Sequence, residues 1–344
     1  MSNLKILFVG DLNRGTRSLQ RCETLKKIGH EVSGLSFVKV PHIAGINKLT
    51  FIERVCWKLK FPLDSNQINH QITLAMQLNK FDLVWIDKGV LIYPWTLSKI
   101  KKMNQSIKLI SCSEDDMYAK HNQSFWYLWG LKLYDIVFTT KVYNLSELQL
   151  MGAQKVELFL DSYDEDLHRP VKLSESDFKK YQAEVGFIGT FEQDRAERML
   201  FLAKHGIRVV IYGNGWSSWS GISENLVIKN QPLYEEEYVK AMNAIKINLC
   251  FLRKINRDQV TSRSVEIPAC GAFMLGERTK RHLDFFTEGK EAEFFDSNEE
   301  LLLKIKQYLS DENHRQKIAQ QGYLRCQQSG YSMKFQLSKM LSKI

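Results

Sequence analysis

The sequence predicts an α/β protein built from two doubly wound domains in tandem. Apolar runs of strand length alternate with segments of helical periodicity, and this alternation restarts near the middle of the chain. The chain has 344 residues, which is long enough for two separate cores. The run "LKILFVG" at 4–10 is continuously apolar and stops at glycine, as is typical of a parallel strand buried on both faces.

The first domain is predicted over 1–165. After the strand at 4–10 comes a segment of helical spacing that ends at Gly29, as helices often do. Further strands are predicted at 31–37, 81–87, 107–112, 135–140 and 155–160, and helices at 93–103 and 143–152. A polar, proline-containing segment at 166–182 is predicted to connect the two domains.

The second domain is predicted over 183–328 and repeats the Rossmann-like alternation. Strands are predicted at 183–190, 207–215, 226–230, 247–252, 272–277 and 291–295, and helices at 192–206, 234–246, 264–271, 298–310 and 312–328. Two such domains would face one another across a cleft, and open α/β sheets bind ligands beyond the C-terminal ends of their strands. The residues that directly follow strands are therefore the candidates for function.

Composition restricts the class of protein. Hydrophobic residues make up 44% and charged residues 25%, which is typical of a globular protein. The six cysteines are scattered without a CxxC pair, and the N-terminus has too short an apolar run for a signal peptide. We therefore expect a reduced, cytoplasmic protein. The net charge of +9 favours anionic partners, but no nucleic-acid-binding motif accompanies it, so nucleic acid is not a predicted partner.

Acidic residues follow several predicted strands of the first domain. Asp11 lies in a glycine-containing loop after the first strand, and Asp87 and Lys88 follow the strand at 81–87. Asp115 and Asp116 follow the strand at 107–112. Such acids could bind hydroxyl groups, act as a base, or cap the next helix, and the sequence leaves these alternatives open.

The second domain offers glycines and an arginine at its strand ends. Gly189 and Thr190 end the first strand, and Arg195 follows near a helix start, where an arginine can bind a phosphate that glycine allows to approach. The run "YGNGW", with Tyr212, Gly213 and Trp216, could admit a flat base or a sugar. A plain turn explains either loop as well. His168 and His282 are expected on the surface, because the histidines do not cluster, and no metal site is predicted.

The run "NRDQVTSRSVEIPACGAFMLGERTKRHLDFFTEGKEAEFFDSNEELLLKI" resembles the donor-binding half of GT-B glycosyltransferases. The likeness is greatest to the bacterial group 1 branch with spore-maturation-type (CgeB-like) proteins, and it extends to "DLVWIDKG", "DIVFTTKVYN", "DEDLHRPV", "VGFIGTFEQDRAERM" and "EEYVKAMNAIKINLCFL". Retaining members carry a Glu-x7-Glu motif, and here Asp258 and Glu266 occupy its two positions. The resemblance implies that Glu266 accepts the ribose hydroxyls of a nucleoside diphosphate sugar and that Arg263 neutralises its phosphates.

The resemblance further implies transfer of a sugar to an acceptor that is a glycan, a lipid-linked molecule or a protein. Retention of configuration, independence from metal and the absence of any cofactor are implied as well. The catalytic candidates are Asp258, Asp115 and Lys88, and the acceptor-side candidates are Asp11, Asp87 and Asp116. A nucleotide-sugar epimerase, a hydrolase on the same fold, and a non-catalytic nucleotide-sugar-binding protein are the alternatives.

The C-terminal helix, at 329–344, is implied by the same resemblance to cross back to the first domain. Residues 301–344 hold eight lysines and arginines against two acids. Near the end, apolar side chains alternate with lysines: Phe335, Leu337, Met340 and Leu341 with Lys334, Lys339 and Lys343. We expect the apolar side chains to pack on the first domain, and weak association of this basic end with an anionic inner membrane face is the additional hypothesis.

Overall fold

The computed structural model describes residues 3–39 and 49–344. The chain divides into two compact units, Met1–Leu160 together with Lys334–Ile344 (unit 1) and Asp161–Met333 (unit 2). Within the described residues each unit contains one six-stranded sheet, and all strand pairs are parallel. The predicted class, two Rossmann-like α/β domains, is confirmed.

Unit 1 contains a sheet of order β2-β1-β3-β4-β5-β6. Its strands are β1 (Lys5–Gly10), β2 (Glu31–Ser36), β3 (Leu83–Asp87), β4 (Lys108–Ser113), β5 (Ile136–Thr139) and β6 (Val156–Leu158). Its helices are α1 (Arg17–Lys27), α2 (Phe51–Lys58), α3 (Ile68–Leu78), α4 (Pro94–Met103), α5 (Phe125–Gly130) and α6 (Asn144–Leu150). The sequence patterns did not predict α2, α3 or α5.

The core of unit 1 forms where apolar strands are covered by helices. Val9 and Ile86 of neighbouring strands are fully buried in the same cluster as Ile72 of α3 and Leu97 of α4. Burial of such side chains stabilises the unit by about 2 kcal/mol each relative to exposure. Because all strands run in parallel, their C-terminal ends share one edge of the sheet, and the predicted acids lie along that edge.

Unit 2 contains a sheet of order β12-β11-β10-β7-β8-β9. Its strands are β7 (Ala183–Ile188), β8 (Val209–Tyr212), β9 (Leu226–Ile228), β10 (Ile245–Cys250), β11 (Met274–Glu277) and β12 (Glu293–Phe295). Its helices are α7 (Glu175–Tyr181), α8 (Gln193–Lys204), α9 (Glu235–Ala244), α10 (Ser262–Ala269), α11 (Lys280–Phe285), α12 (Asn298–Ser310) and α13 (Glu312–Gln328). The segment 166–182 lies within unit 2 and includes α7.

The central strands of unit 2 meet closely because Gly186 has no side chain. A Cβ at this position would lie 2.6 Å from Cδ1 of Ile245 on the neighbouring strand β10. Phe187, Ile211 and Leu249 are fully or almost fully buried in the same core cluster as Met199 of α8. The C-terminal ends of β7, β8 and β10 are thereby held next to one another.

The final helix, α14 (Met333–Leu341), is assigned from Lys334 onward to unit 1. Leu337, Met340 and Leu341 are buried, whereas Phe335 is half exposed. Oε1 of Gln336 accepts a hydrogen bond from the amide of Leu160. Most of the apolar side chains that could have faced a membrane are therefore covered by unit 1. No helix in the described ranges is long and apolar enough to cross a membrane.

Candidate functional site

Two arginines lie side by side at the C-terminal edge of the sheet of unit 2. Arg195 comes from the first turn of α8, and Arg263 comes from the first turn of α10. Their guanidinium carbons lie 5.7 and 5.5 Å from the centre of the same ring, that of Phe187 near the end of β7. A cation over an aromatic ring is attracted by its electrons, so Phe187 holds both arginines in place.

Several N–H groups of these arginines have no hydrogen-bond partner among the described residues. Nη1 of Arg195 donates to the carbonyl of Thr190 (3.1 Å), but its buried Nε and Nη2 have no acceptor. Nη1 of Arg263 donates to the carbonyl of Ile188 (3.4 Å), and its buried Nε has none. A buried donor without an acceptor costs about 1–3 kcal/mol, which an anion supplying acceptor oxygens would recover.

Among the described residues, Glu192 offsets the charge of the pair only in part. Oε2 of Glu192 lies 3.7 Å from Nη2 of Arg195, beyond hydrogen-bond distance, and Oε1 of Glu192 accepts from Nε of Arg253 at 2.8 Å. Burial, and then the positive charge of Arg263, lower the pKa of Arg195 to about 10. The charge of a bound anion would offset both effects, so the pair is suited to hold a phosphate or diphosphate.

Two glycines bring the loops beside the arginines into contact. A Cβ on Gly213, which has φ +150°, would lie only 2.0 Å from the carbonyl oxygen of Gly189. That oxygen also accepts a hydrogen bond from Nε1 of Trp216 (2.9 Å). A Cβ on Gly189 would lie 3.0 Å from Nη1 of Arg263. The glycine loop is thus joined to the second loop and lies directly against the arginine pair.

The N-terminus of α10 is fixed by a chain of hydrogen bonds. Thr261 Oγ1 accepts from the amide of Arg263, and Ser264 Oγ accepts from the amide of Thr261. Nδ1 of His282 donates to the carbonyl of Glu277 (2.6 Å), so its Nε2 accepts from the Ser264 hydroxyl (2.7 Å). This cap orients the helix that carries Arg263, and the positive end of the helix adds to the anion-binding potential.

His282 is not on the surface, so that prediction was wrong. Its side chain is fully buried, and burial lowers its pKa to about 4. His168 is also buried, and its Nε2 lies 3.8 Å from Oε1 of Glu266. The sequence prediction failed because polar neighbours along the chain do not reveal which side of a short helix or loop the core covers.

Glu266 lies one turn into α10 and is 6% exposed. Its Oε2 accepts a hydrogen bond from the hydroxyl of Tyr238 on α9 (2.8 Å). Burial, and then the negative charge of Glu266, raise the pKa of Tyr238 well above its ordinary value, so this hydroxyl is a permanent donor. Asp258 lies before α10, in a loop where its Oδ1 accepts from Nδ2 of Asn256 (2.8 Å). The two acids of the motif therefore belong to different local structures.

Tyr212 and Trp216 were predicted to admit a flat base or a sugar, but both rings are buried. Burial raises the pKa of Tyr212, whose hydroxyl donates weakly to the carbonyl of Lys180 (3.4 Å). Trp216 is packed against Phe187 and Phe191 with edge-on geometry. Trp216 supports the loops that carry Gly189 and Gly213, whereas Tyr212 lines a cavity of about 920 Å³ in unit 2.

The edge of the sheet in unit 1 holds a buried charge network. Asp87, predicted to face an acceptor, is 2% exposed. Its Oδ2 accepts from Ser18 Oγ (2.6 Å) and from two nitrogens of Arg21, and its Oδ1 accepts from Nε1 of Trp85 (2.8 Å). Arg21 also donates to Glu114 at 2.6 Å. Asp87 is therefore engaged in the interior, where Arg21 compensates its charge.

Two further acids on the acceptor-side list have local structural partners. Asp116 is fully buried, and its Oδ1 accepts from the amide of Tyr118 (3.1 Å) and from Nδ2 of Asn144 (2.9 Å). Asp11 is partly exposed, and its Oδ1 accepts from the amide and the side-chain nitrogen of Asn13. Asp116 orders the loop after β4 without capping a helix, and Asp11 forms a local turn.

Lys88 and Asp115 are brought together at the edge of unit 1. Nζ of Lys88 lies 2.5 Å from Oδ2 of Asp115 and 3.4 Å from Oδ1 of Asn122. Lys88 adopts φ +60° and is followed by Gly89 with φ +52°, a left-handed pair that turns the chain sharply after β3. Both side chains are partly exposed, so this ion pair can exchange with a ligand.

No group of three His, Cys, Asp or Glu side chains suited to a metal ion occurs in the parts of the chain that the structure describes. The sequence prediction missed Phe187, Tyr238, Ser264 and His282, which hold the candidate residues in place. The spacing of Thr261 and Ser264 is a capping signal that could have been recognised. The other three act across distant elements and leave no local signal.

Known proteins resemble this chain in part of the sequence and in the whole fold. Residues 195–342 match the family model described as "Glycosyl transferase-like", which is less than half of the chain. No curated protein matches the sequence. The matched part includes Arg195, Arg263 and Glu266.

Solved structures share the fold at low sequence identity. Sucrose-phosphate synthase from Thermosynechococcus elongatus has a TM-score of 0.69 at 11% identity, with 99% of each chain covered. HepE of Anabaena, in complex with UDP-glucose, has a TM-score of 0.64 at 13% identity, over 99% of this chain and 100% of that one. An alpha-glucosyltransferase in complex with UDP-glucose and DNA has a TM-score of 0.67 at 15% identity, over 100% and 99%. The chain has the GT-B fold.

Proposed function

We propose that this protein is a glycosyltransferase that transfers a sugar from a nucleoside diphosphate sugar. The observation that carries the proposal is the pair of arginines, Arg195 and Arg263, whose buried Nε atoms have no acceptor among the described residues. The pair lies beside Gly189. Because glycine has no side chain, a phosphate can approach the backbone there. The family match over 195–342 and the fold also support a glycosyltransferase.

The chemistry of such a transfer requires stabilisation of the leaving group. When the bond between sugar and phosphate breaks, negative charge grows on the nucleoside diphosphate. Arginines fixed in advance by Phe187 and by the cap of α10 stabilise this charge without having to reorganise. We therefore propose that the arginines do this without a metal ion, and that transfer retains configuration, as the resemblance to the group 1 branch implies.

Glu266 is proposed to accept the ribose hydroxyls of the donor. A carboxylate has about four lone-pair sites, and the Tyr238 hydroxyl occupies one of them. Tyr238 would then hold the carboxylate in a fixed orientation. Since HepE and the alpha-glucosyltransferase are solved in complex with UDP-glucose, we propose UDP-sugars as the first donors to test.

The acceptor is proposed to bind to unit 1 near Lys88 and Asp115. These two residues form a partly exposed ion pair at the C-terminal edge of the sheet, whereas Asp87 and Asp116 are buried. Asp115 can accept a hydrogen bond from an acceptor hydroxyl once the ion pair opens. Asp258 is proposed to contact the transferred sugar, because it holds the first position of the acidic motif.

Calorimetry with UDP, GDP, dTDP, ADP and their sugars tests the donor site. We expect one nucleoside diphosphate to bind, and Arg195→Met or Arg263→Met to weaken its binding about 10- to 100-fold, because charge-assisted hydrogen bonds are lost. Arg198→Met is the matched control, since Arg198 lies one turn further along α8 and donates to Asn298. Equal affinity of all variants in folded protein would refute the arginine site.

Product analysis tests the reaction. We expect nucleoside diphosphate to be released only when an acceptor is added, with activity unchanged by EDTA and the anomeric configuration of the product retained. Release at the same rate without acceptor would identify a hydrolase, and loss of activity in EDTA that manganese restores would contradict metal independence.

A further inference from the structure

Unit 1 has an exposed apolar surface rich in aromatic side chains. We call it the aromatic face and define it by Phe51, Ile52 and Leu59 in and after α2, Trp95 on α4, and Phe125 and Trp129 on α5. These side chains are between 36% and 72% exposed. Scattered exposed apolar residues are ordinary, but a contiguous group of this kind marks an interaction surface.

The helix α2 turns apolar side chains outward. Phe51, Val55 and Leu59 are spaced four residues apart, so they lie on one side of the helix, and all three are exposed. Trp57 lies on the other side and packs against the core of unit 1. A helix of a soluble domain usually hides its apolar stripe, and this one presents a second stripe to the outside.

The outward stripe is continuous with the aromatic side chains of α4 and α5. The carbonyl of Lys60, just after α2, accepts from the amide of Phe125 (2.8 Å), and the ring of Phe61 lies 4.7 Å from that of Phe125. Trp126 lies 5.4 Å from Trp95 and 5.7 Å from Trp129, centre to centre. The aromatic side chains of α4 and α5 therefore pack together, and the end of α2 is hydrogen-bonded to them at Lys60.

The charge along the aromatic face is mainly positive. The three segments that form it, 49–63, 91–103 and 117–134, hold eight lysines and arginines and a single acid, Glu53. Asp64 and Asp135 directly follow two of these segments, and Asp135 forms an ion pair with Lys101. The carboxylate of Glu53 accepts from the amide of Thr50 and from Ser65 Oγ, which lowers its pKa and occupies both of its oxygens. Arg54 and Lys58 are exposed on α2, and Lys99, Lys120 and Lys132 are exposed on the neighbouring segments.

We propose that the aromatic face docks on an anionic membrane surface. Tryptophan and phenylalanine side chains enter the boundary between headgroups and acyl chains, and the surrounding lysines and arginines bind the anionic headgroups. A membrane fits better than a protein partner because the surface combines exposed tryptophans with an excess of positive charge. It replaces the C-terminal helix as the membrane contact, since the apolar side chains of that helix are largely buried.

The position of the aromatic face bears on the acceptor, in an argument that rests on the proposed function. Ser124, the residue before α5, donates to the carbonyl of Val90 (2.6 Å), two residues after Lys88. Asn122, in the same loop, contacts Lys88 directly (3.4 Å). Docking through the aromatic face would therefore bring Lys88 and Asp115 near the membrane surface, which suits a lipid-linked acceptor.

Flotation with lipid vesicles tests the docking. We expect the full chain to bind vesicles with about 30% phosphatidylglycerol at low salt, to bind pure phosphatidylcholine weakly, and to dissociate at about 0.5 M salt. The double variant Leu59→Ser/Trp129→Ser should lose binding about 10-fold or more, because two buried apolar contacts with lipid are removed. Leu150→Ser, which changes an exposed leucine of unit 1 outside this face, should bind as the wild type does.

Quenching by brominated lipids separates insertion from adhesion. We expect tryptophan fluorescence to be quenched in the wild type and less so in Trp129→Phe. Equal vesicle binding by the double variant and the wild type, or no binding at low salt, would overturn the proposal. So would a dimer in light scattering that the double variant dissociates, because a second copy would then cover the face. Calorimetry of nucleotide binding to the double variant keeps this test apart from the proposed function, since donor binding should be unchanged.

Discussion

A buried arginine lies at the C-terminal edge of each sheet, and the two arginines differ in their hydrogen-bond partners. In unit 1, Arg21 lies 2.6 Å from Asp87 and 2.6 Å from Glu114. In unit 2, Arg195 is as deeply buried, but its Nε and Nη2 have no hydrogen-bond acceptor among the described residues. The two edges have the same architecture, so the difference lies in the side chains that the helices contribute.

The ionisation of the two arginines reflects this difference. Burial alone would lower the pKa of Arg21, but the charges of Asp87 and Glu114 outweigh it and raise the pKa above its ordinary value. For Arg195, burial and the charge of Arg263 act in the same direction and lower the pKa to about 10. Arg21 is paired with carboxylates of its own unit, whereas Arg195 keeps two nitrogens without an acceptor among the described residues, and we propose that a ligand anion binds there.

The largest expected difference is in the free energy of unfolding after each arginine is replaced. Arg21→Met leaves Asp87 buried without the arginine that pairs with it and leaves Glu114 paired with Arg17 alone, and we expect the free energy of unfolding to fall by about 3–5 kcal/mol. Arg195→Met removes a buried cation that lacks an acceptor, so stability without ligand should stay the same or rise by about 1 kcal/mol. Urea unfolding at neutral pH measures both. A comparable loss in the two variants would contradict the comparison.

The cap of α10 makes unit 2 sensitive to acid. His282 has a pKa of about 4 in the folded state, whereas its ordinary value is 6.5. As the pH falls, the imidazole is therefore protonated in the unfolded chain before it is protonated in the folded one. Its contribution is complete above pH 6.5 and is lost as the pH falls through 4, by up to about 3 kcal/mol. Unfolding measured across this range should show a shallower pH dependence in His282→Gln. Parallel curves for variant and wild type would rule out this role of His282.

The contact between Gly213 and Gly189 gives a smaller effect. In Gly213→Ala the new Cβ would lie 2.0 Å from a backbone oxygen, so the loop must shift, and we expect a loss of about 2 kcal/mol together with weaker nucleotide binding. Gly206→Ala is the matched control, because Gly206 also has a positive φ but nothing lies within 4 Å of its Cβ position. Thermal unfolding with and without nucleotide compares them, and equal losses would show that backbone strain alone is responsible.

Some of the candidate site could be predicted from local sequence. Gly189, Gly213 and Arg195 follow strands, and the strand ends were identifiable from the apolar runs of β7 and β8. Asp87 also follows a strand, yet it is buried against Arg21, a residue 66 positions away on α1. The same local signal therefore accompanies a proposed ligand contact in one unit and an internal ion pair in the other.

The aromatic face illustrates the limit of periodicity. An apolar stripe in a sequence predicts burial, and the segment of α2 gives no sign that Phe51 and Leu59 would be exposed. The outward orientation follows from Trp57, which packs against the core and turns the opposite side of the helix away from it. Which of two apolar sides a helix buries depends on the neighbours that it meets.

The sequence by itself determined that the chain forms two α/β units, and it determined the succession of strands and most helices along the chain. Apolar periodicity and glycine ends are local properties, which is why the sequence alone reveals them. Only the tertiary structure decided that Arg195 and Arg263 share the ring of Phe187 without a matching anion, and that His282 supports the helix of Arg263. These contacts join residues from different helices and strands. Their energies depend on burial and on opposing charges, which no local pattern contains.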